Sequence, residues 1–187
     1  MSGSVRWRPA VKNRDTVALR SFTCARAWKG AKRPPIYEDE VQRYLRQHAV
    51  AATNRSRDQG RDGRLILAED SRGIAAAYTH QRFDEPQRHP NLDIPDDLPQ
   101  REICFLGVGL WRRGTGFADT VVAHALWDVL DRSPEAPLVY IWCRVDHRNE
   151  PSQKMLTRAH FTEVTHGGPG AQPDARLGWW LRMMPRS

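Results

Sequence analysis

Two glycines, Gly114 and Gly116, stand just after Arg113 and just before Phe117, Ala118 and Asp119, in the run ICFLGVGLWRRGTGFADTVV from Ile103 to Val122. An apolar strand that opens into closely spaced glycines lets the backbone approach a ligand with no Cβ in the way. The helix that follows presents unpaired N–H groups and a partial positive charge to an anion. The chemistry is phosphate binding, and the ligand it points to is a pyrophosphate-bearing cofactor.

The other reactive side chains offer less. Cys24, Cys104 and Cys143 are odd in number and widely spaced, which reads as reduced, buried thiols of a cytoplasmic protein. Cys143 and His147 lack the further ligands that a metal site needs, so no metal is expected. The chain has 187 residues, enough for one well-buried core, and a single domain over 1–187 is expected. No apolar run is long enough to suggest a membrane span, and MSGSVRWRPAVKNRD has no secretion-signal core. A formal charge of +7, carried mostly by arginine, favours anionic partners: a nucleotide-like cofactor, an acidic substrate or RNA. A GC-rich coding bias is the simpler account of such a charge, since net charge informs association rather than fold.

The elements that must position the glycine turn follow from periodicity. Val17 to Cys24 alternates loosely and reads as an opening strand, ended by the Lys29 to Pro35 segment. Tyr37 to Ala52 places Tyr37, Val41, Tyr44, Leu45 and His48 or Ala49 on one helical face, and Asn54 to Gly63 reads as a polar loop. Arg64–Glu69 and Ile74–Phe83 flank the turn formers Asp70-Ser-Arg-Gly73 as a hairpin. The proline-rich stretch 84–101 reads either as a cover on the substrate side or as a surface insertion.

Glu102 to Leu110 is the strand that feeds the turn. Phe117 to Leu130 is the helix after it, with Val121, Val122, Ala125, Leu126 and Val129 buried. Pro137 to Val145 is apolar enough for a central strand, and Asn149 to Ala159 is a short helix. Phe161–Thr165 and Ala175–Met184 read as closing strands around Gly167-Gly-Pro-Gly170, with Trp179 and Trp180 on opposite faces and Tyr140 and Trp142 sharing a packing face. The order predicts an α/β fold around a mixed sheet.

Arg113-x-x-Gly116-x-Ala118, with Val108 five residues before it, resembles the acetyl-CoA signature of the GNAT-type N-acetyltransferases. Val145-Asp-His-Arg-Asn149, a short helix and His160-Phe161 are similar to that family's strand, asparagine, helix and closing Gly-Phe pair. The resemblance covers 102–164 well and implies a single domain whose mixed, mostly antiparallel sheet has two splayed parallel strands. It further implies acetyl-CoA as co-substrate. Leu106, Gly107 and Val108 would pair with the pantetheine through their backbone, Gly114, Thr115, Gly116, Phe117, Ala118 and Asp119 would wrap the pyrophosphate, Arg113 would join them in binding the cofactor, and Asn149 would help position it.

Two departures concern proton transfer. The family's strand glutamate is Arg144 here, and its tyrosine acid, seven residues past the asparagine, is Leu156. Glu102, eleven residues before Arg113, matches the glutamate base of lysine-directed members, and His147 is a second candidate proton carrier. The backbone N–H of Val108 is expected to meet the developing oxyanion. The resemblance implies acetyl transfer to a primary amine, of a small molecule or a protein, by direct attack in a ternary complex. Two alternatives stand beside it: a toxin that acetylates aminoacyl-tRNA, and a non-catalytic acyl-CoA-binding regulatory domain. RNA is a possible but not favoured partner, and a homodimer is compatible with the sequence.

Overall fold

The computed structural model describes residues 4–26, 35–83, 94–164 and 176–186. In chain order the elements are β1 (Arg6–Pro9), α1 (Lys12–Ser21), α2 (Ile36–Gln47), α3 (Ala49–Asp58), β2 (Arg64–Asp70), β3 (Gly73–Arg82) and β4 (Gln100–Val108). A single 3-10 turn, Leu110–Arg112, leads to α4 (Phe117–Asp131), β5 (Leu138–Asp146), α5 (Glu150–Arg158), β6 (Thr162–Val164) and β7 (Leu177–Pro185). The strands form one mixed sheet in the order β1-β2-β3-β4-β5-β7-β6. Two compact units divide the chain: Met1–His80 with Phe105–Val121, and Gln81–Cys104 with Val122–Ser187.

In the first unit β1, β2 and β3 are antiparallel, with the expected hairpin around Asp70 and Gly73. Leu19, Phe22, Leu45, Ala49, Leu65, Leu67 and Ala77 close its core. Three expectations are corrected here. Val17 to Cys24 is not the opening strand, because β1 already occupies the free edge of β2 and Asp15, Leu19 and Phe22 turn inward at helical spacing while Val17 is exposed. The helix expected over 37–52 breaks at His48, whose φ of −121° separates α2 from α3. The first half of the loop expected at 54–63 is therefore helix: Ala49, Thr53 and Ser56 form a buried stripe, and Arg57 Nε donates to the Gly63 carbonyl at 2.7 Å.

The second unit contains the parallel pair. β4 and β5 ladder from Gln100↔Tyr140 to Ile103↔Cys143, and β7 lies antiparallel to both β5 and β6. Tyr140, Trp142, Leu181 and Ile94 form its core on one sheet face, with Trp142 Nε1 donating to Gln100 Oε1 at 3.0 Å. Residues 84–93 of the proline-rich stretch and Gly167 to Gly170 lie outside the described residues. Ile94 and Leu98, in the described part of that stretch, pack on the Tyr140 and Trp142 face. All five positions expected on the inner face of α4, from Val121 to Val129, are buried.

The end of α5 accounts for a departure from the family pattern. His160 has φ +57°, its N–H donates to the Thr157 carbonyl, and the Phe161 N–H reaches back to the Leu156 carbonyl, each at 3.0 Å. This is a Schellman termination, with Phe161 and Leu156 both buried as its apolar pair. The resembled family's glycine at position 160 is explained by that left-handed φ, and Leu156 serves the helix end.

Candidate active site

The glycine turn is anchored from both sides within the first unit. The Gly109 N–H donates to the Ala75 carbonyl at 2.7 Å, and the Leu110 N–H to that of Thr23 at 3.0 Å. Asp70, at the end of β2, receives Trp111 Nε1 at 3.3 Å and Arg112 Nε and Nη2 at 2.9 and 2.6 Å on a single oxygen. Burial by itself would raise the Asp70 carboxyl, but the Arg72 N–H, Arg112 and Trp111 outweigh it and hold it below the usual range. Arg113 turns the other way, giving Nη1 to Glu38 Oε1 at 2.9 Å and Nη2 to the Cys24 carbonyl. Both arginines thus fasten the turn to its surroundings.

What the turn then presents is backbone. Gly114 and Gly116 have φ +74° and +77°, and no heavy atom lies within 4 Å of where a Cβ would sit on either. Among the described residues, no backbone hydrogen bond engages the amides of Gly114, Thr115, Gly116, Phe117 or Ala118. Phe117 is held in place by stacking with Trp7 at 6.3 Å and by Arg112, whose Cζ lies 5.1 Å from its ring centroid. Five free donors at the start of a fifteen-residue helix, with open space before them, fit a pyrophosphate. Upstream, Gly107 brings β4 against α2: a Cβ there would meet Leu45 Cδ1 at 2.7 Å.

In the second unit Glu102 and Arg144 come together. Arg144 Nε donates to Glu102 Oε1 at 2.9 Å, and Oε2 has the Cys104 thiol at 3.8 Å. Glu102 is buried, with a side chain 7% exposed against 48% for Arg144. The β4–β5 ladder ends at Ile103↔Cys143, while β4 continues as a strand to Val108 and β5 to Asp146. Asn149 caps α5, its Oδ1 accepting the Ser152 N–H at 3.3 Å. His147 is exposed, with Nδ1 3.6 Å from Glu163 Oε1, and is separated from the Glu102 pair along β5 by Val145 and Asp146. Burial pushes the Cys24 thiol up to about 11 and raises Cys104 and Cys143 as well, so none of the three is a nucleophile near neutral pH.

No family model matches the chain by sequence, and no curated protein matches it either. Solved structures do. A GNAT-family protein from Desulfovibrio desulfuricans is 14% identical, with 97% of this chain and 99% of that one covered at a TM-score of 0.56. AtaTR bound with acetyl-CoA is 14% identical, covering 97% and 94% at 0.60. AtaT complexed with acetyl-methionyl-tRNA is 15% identical, covering 97% and 95% at 0.59. The fold is that of the GNAT acetyltransferases. Within this GNAT-type fold the parallel β4–β5 pair, the glycine turn and α4 stand at the chain positions expected from the sequence.

Sequence reasoning overlooked several partners of the expected residues. Asp70 and Glu38 anchor the turn from 41 or more positions away in the chain, and Trp179 and Glu102 clasp Arg144 from other strands. In the sequence Asp70 shows only as a turn former. No local pattern marks such pairings, since each depends on strands brought side by side. Among the described residues no helix is long and apolar enough to cross a membrane.

Proposed function

We propose that the chain, acting as one functional domain, is an acetyl-CoA-dependent N-acetyltransferase that moves an acetyl group to a primary amine by direct attack in a ternary complex. The observation that carries this reading is the row of free amides from Gly114 to Ala118, opened by two positive-φ glycines at the start of α4. Acetyl-CoA would supply an activated thioester and a pyrophosphate. Gly114, Thr115, Gly116, Phe117 and Ala118 would hold the pyrophosphate, with Asp119 beside them in the first turn of α4. Arg113 would shape the turn through Glu38, and Leu106, Gly107 and Val108 would offer the backbone of β4 beyond its ladder with β5. Asn149, at the start of α5, would help position the cofactor.

The chemistry requires a neutral amine, a donor for the developing oxyanion and an acceptor for the amine's proton. The Val108 amide would be the donor. Glu102 would be the acceptor through Oε2, the oxygen not taken by Arg144 Nε. His147 is the alternative acceptor. The three protonated thiols support direct attack rather than transfer through an acyl-cysteine.

Thermal unfolding with and without acetyl-CoA tests the cofactor assignment. Saturation at about 100 times Kd adds roughly 2.7 kcal/mol to the folded state, so the midpoint should rise. Gly116→Glu, which places a carboxylate against the phosphates, should abolish the rise. A wild-type midpoint unmoved by acetyl-CoA would overturn the reading, and release of CoA thiol across an amine panel then tests the transfer itself.

A second reading, acetylation of aminoacyl-tRNA, draws on the likeness to AtaT and on the net charge of +7. Against it, the position of the resembled toxins' tyrosine is Leu156, buried at the Schellman end of α5. Mass spectrometry of charged tRNA after incubation with acetyl-CoA separates the two.

A further inference from the structure

Arg144 is the first residue of β5 past its ladder with β4. Its Nε donates to Glu102 at 2.9 Å, and its Cζ lies 5.2 Å from the centroid of Trp179, the residue opposite it on β7. Trp179 is itself fixed edge-on by Trp142, with centroids 5.8 Å apart. The pairing uses the inner Nε edge and one carboxylate oxygen, not the two-bond fork that arginine commonly makes with a carboxylate. Among the described residues the Nη edge takes no hydrogen bond, and the side chain is half in solvent. A guanidinium anchored on one edge and laid over an indole loses little freedom when its other edge meets an anion.

The surrounding charge agrees. Asp146, two residues along the same face of β5, has its carboxylate taken up by Arg148 at 2.8 Å and Arg176 at 3.5 Å. Both carboxylates, those of Glu102 and Asp146, thus already hold guanidinium partners. On the acetyl-transfer reading above, the acyl cofactor's phosphates belong to the amides of α4. The amine, by contrast, must approach Glu102, and Arg144 is the residue it meets there.

We propose that Arg144 reads a carboxylate on the acceptor, so that the substrate class is a primary amine that also carries a carboxylate. This rests on the acetyl-transfer reading, and Arg144 is a specificity residue in it: the Nη edge binds the carboxylate while Glu102 faces the amino group. Free amino acids and peptide N-termini followed by an acidic residue both supply this chemistry.

The experiment compares kcat/KM, referred to the concentration of neutral amine, for free amino acids, for their carboxamides, and for short peptides with aspartate or asparagine at the second position. Wild type should favour each acid over its amide by about 10-fold to 100-fold, the worth of a charge-assisted hydrogen bond. The arm with the larger preference identifies the source of the carboxylate. Arg144→Gln should bring the ratio close to unity, and Arg144→Lys should leave an intermediate value. Because the readout is a ratio, any general effect through Glu102 cancels. Equal rates for acids and amides in wild type, or a ratio that survives in Arg144→Gln, would overturn the proposal. Should Arg144→Gln not fold, the wild-type ratio and Arg144→Lys decide. If no amine is acetylated although acetyl-CoA raises the unfolding midpoint, the transfer reading fails. The further midpoint rise given by an N-acetyl amino acid over its amide, with CoA present, still tests Arg144.

Discussion

Replacing Arg144 by glutamine is expected to cost more stability than replacing Glu102, although the two share one ion pair. The Glu102 side chain is 7% exposed and that of Arg144 is 48% exposed. Glu102→Gln leaves a guanidinium half in water and still over Trp179, so the loss is close to the net value of one hydrogen bond, about 1 kcal/mol. Arg144→Gln leaves a nearly buried carboxylate with, among the described residues, only the Cys104 thiol at 3.8 Å. An uncompensated charge there costs on the order of 3 kcal/mol, the low end for a buried pair because one partner was solvated. The difference of about 2 kcal/mol corresponds to midpoints separated by roughly 4–8 °C for a chain of this size. Urea unfolding at neutral pH measures both variants, and the slope of stability against urea should be unchanged. The double variant should lose less than the sum of the singles, by about 1–2 kcal/mol, since no charge is then stranded. Equal costs, a costlier Glu102→Gln, or strict additivity would refute this account of the pair.

Other outcomes follow from the same geometry. His160→Gly should raise stability by about 1 kcal/mol, because φ +57° strains a residue with a Cβ; differential scanning calorimetry reads this as a higher midpoint. The Arg148 hydrogen bonds, working against burial, hold the Asp146 carboxyl below its ordinary value. Its contribution is therefore complete above the unfolded value near about 3.9 and disappears as pH falls through the lower folded value. Urea midpoints followed into acid should fall less steeply for Asp146→Asn than for wild type.

The glycine turn was legible from Ile103 to Val122 because its parts are contiguous: a strand, two glycines that need positive φ, and a helix whose inner face repeats at i, i+1, i+4, i+5 and i+8 from Val121. The hairpin around Asp70 and Gly73 and the capping of α5 by Asn149 were legible for the same reason. The first fifty residues were not. A short stretch such as Val17 to Cys24 satisfies strand and helix patterns alike, and the choice was made by β1 taking the edge of β2 and by Leu19 and Phe22 entering the core. The break at His48 was equally hidden, since α2 and α3 together keep a helical composition across it.

By itself, the sequence determined the local chemistry: free amides at a helix start, the absence of a tyrosine at Leu156, and the presence of arginine where the resembled family has glutamate. Backbone preference and short-range periodicity suffice for such features, because they act over a few residues. Only the tertiary structure decided what those side chains touch. Arg113, a residue of the cofactor signature, gives its guanidinium to Glu38 and the Cys24 carbonyl, a pairing that spans distant parts of the chain. Arg144, a departure from the resembled family, and Glu102, a match to it, stand 42 positions apart, and the parallel ladder of β4 and β5 brings them into one ion pair, with Arg144 over Trp179. Electrostatic pairing depends on distance in space, and sheet register sets that distance across strands in a way that no single stretch of chain encodes.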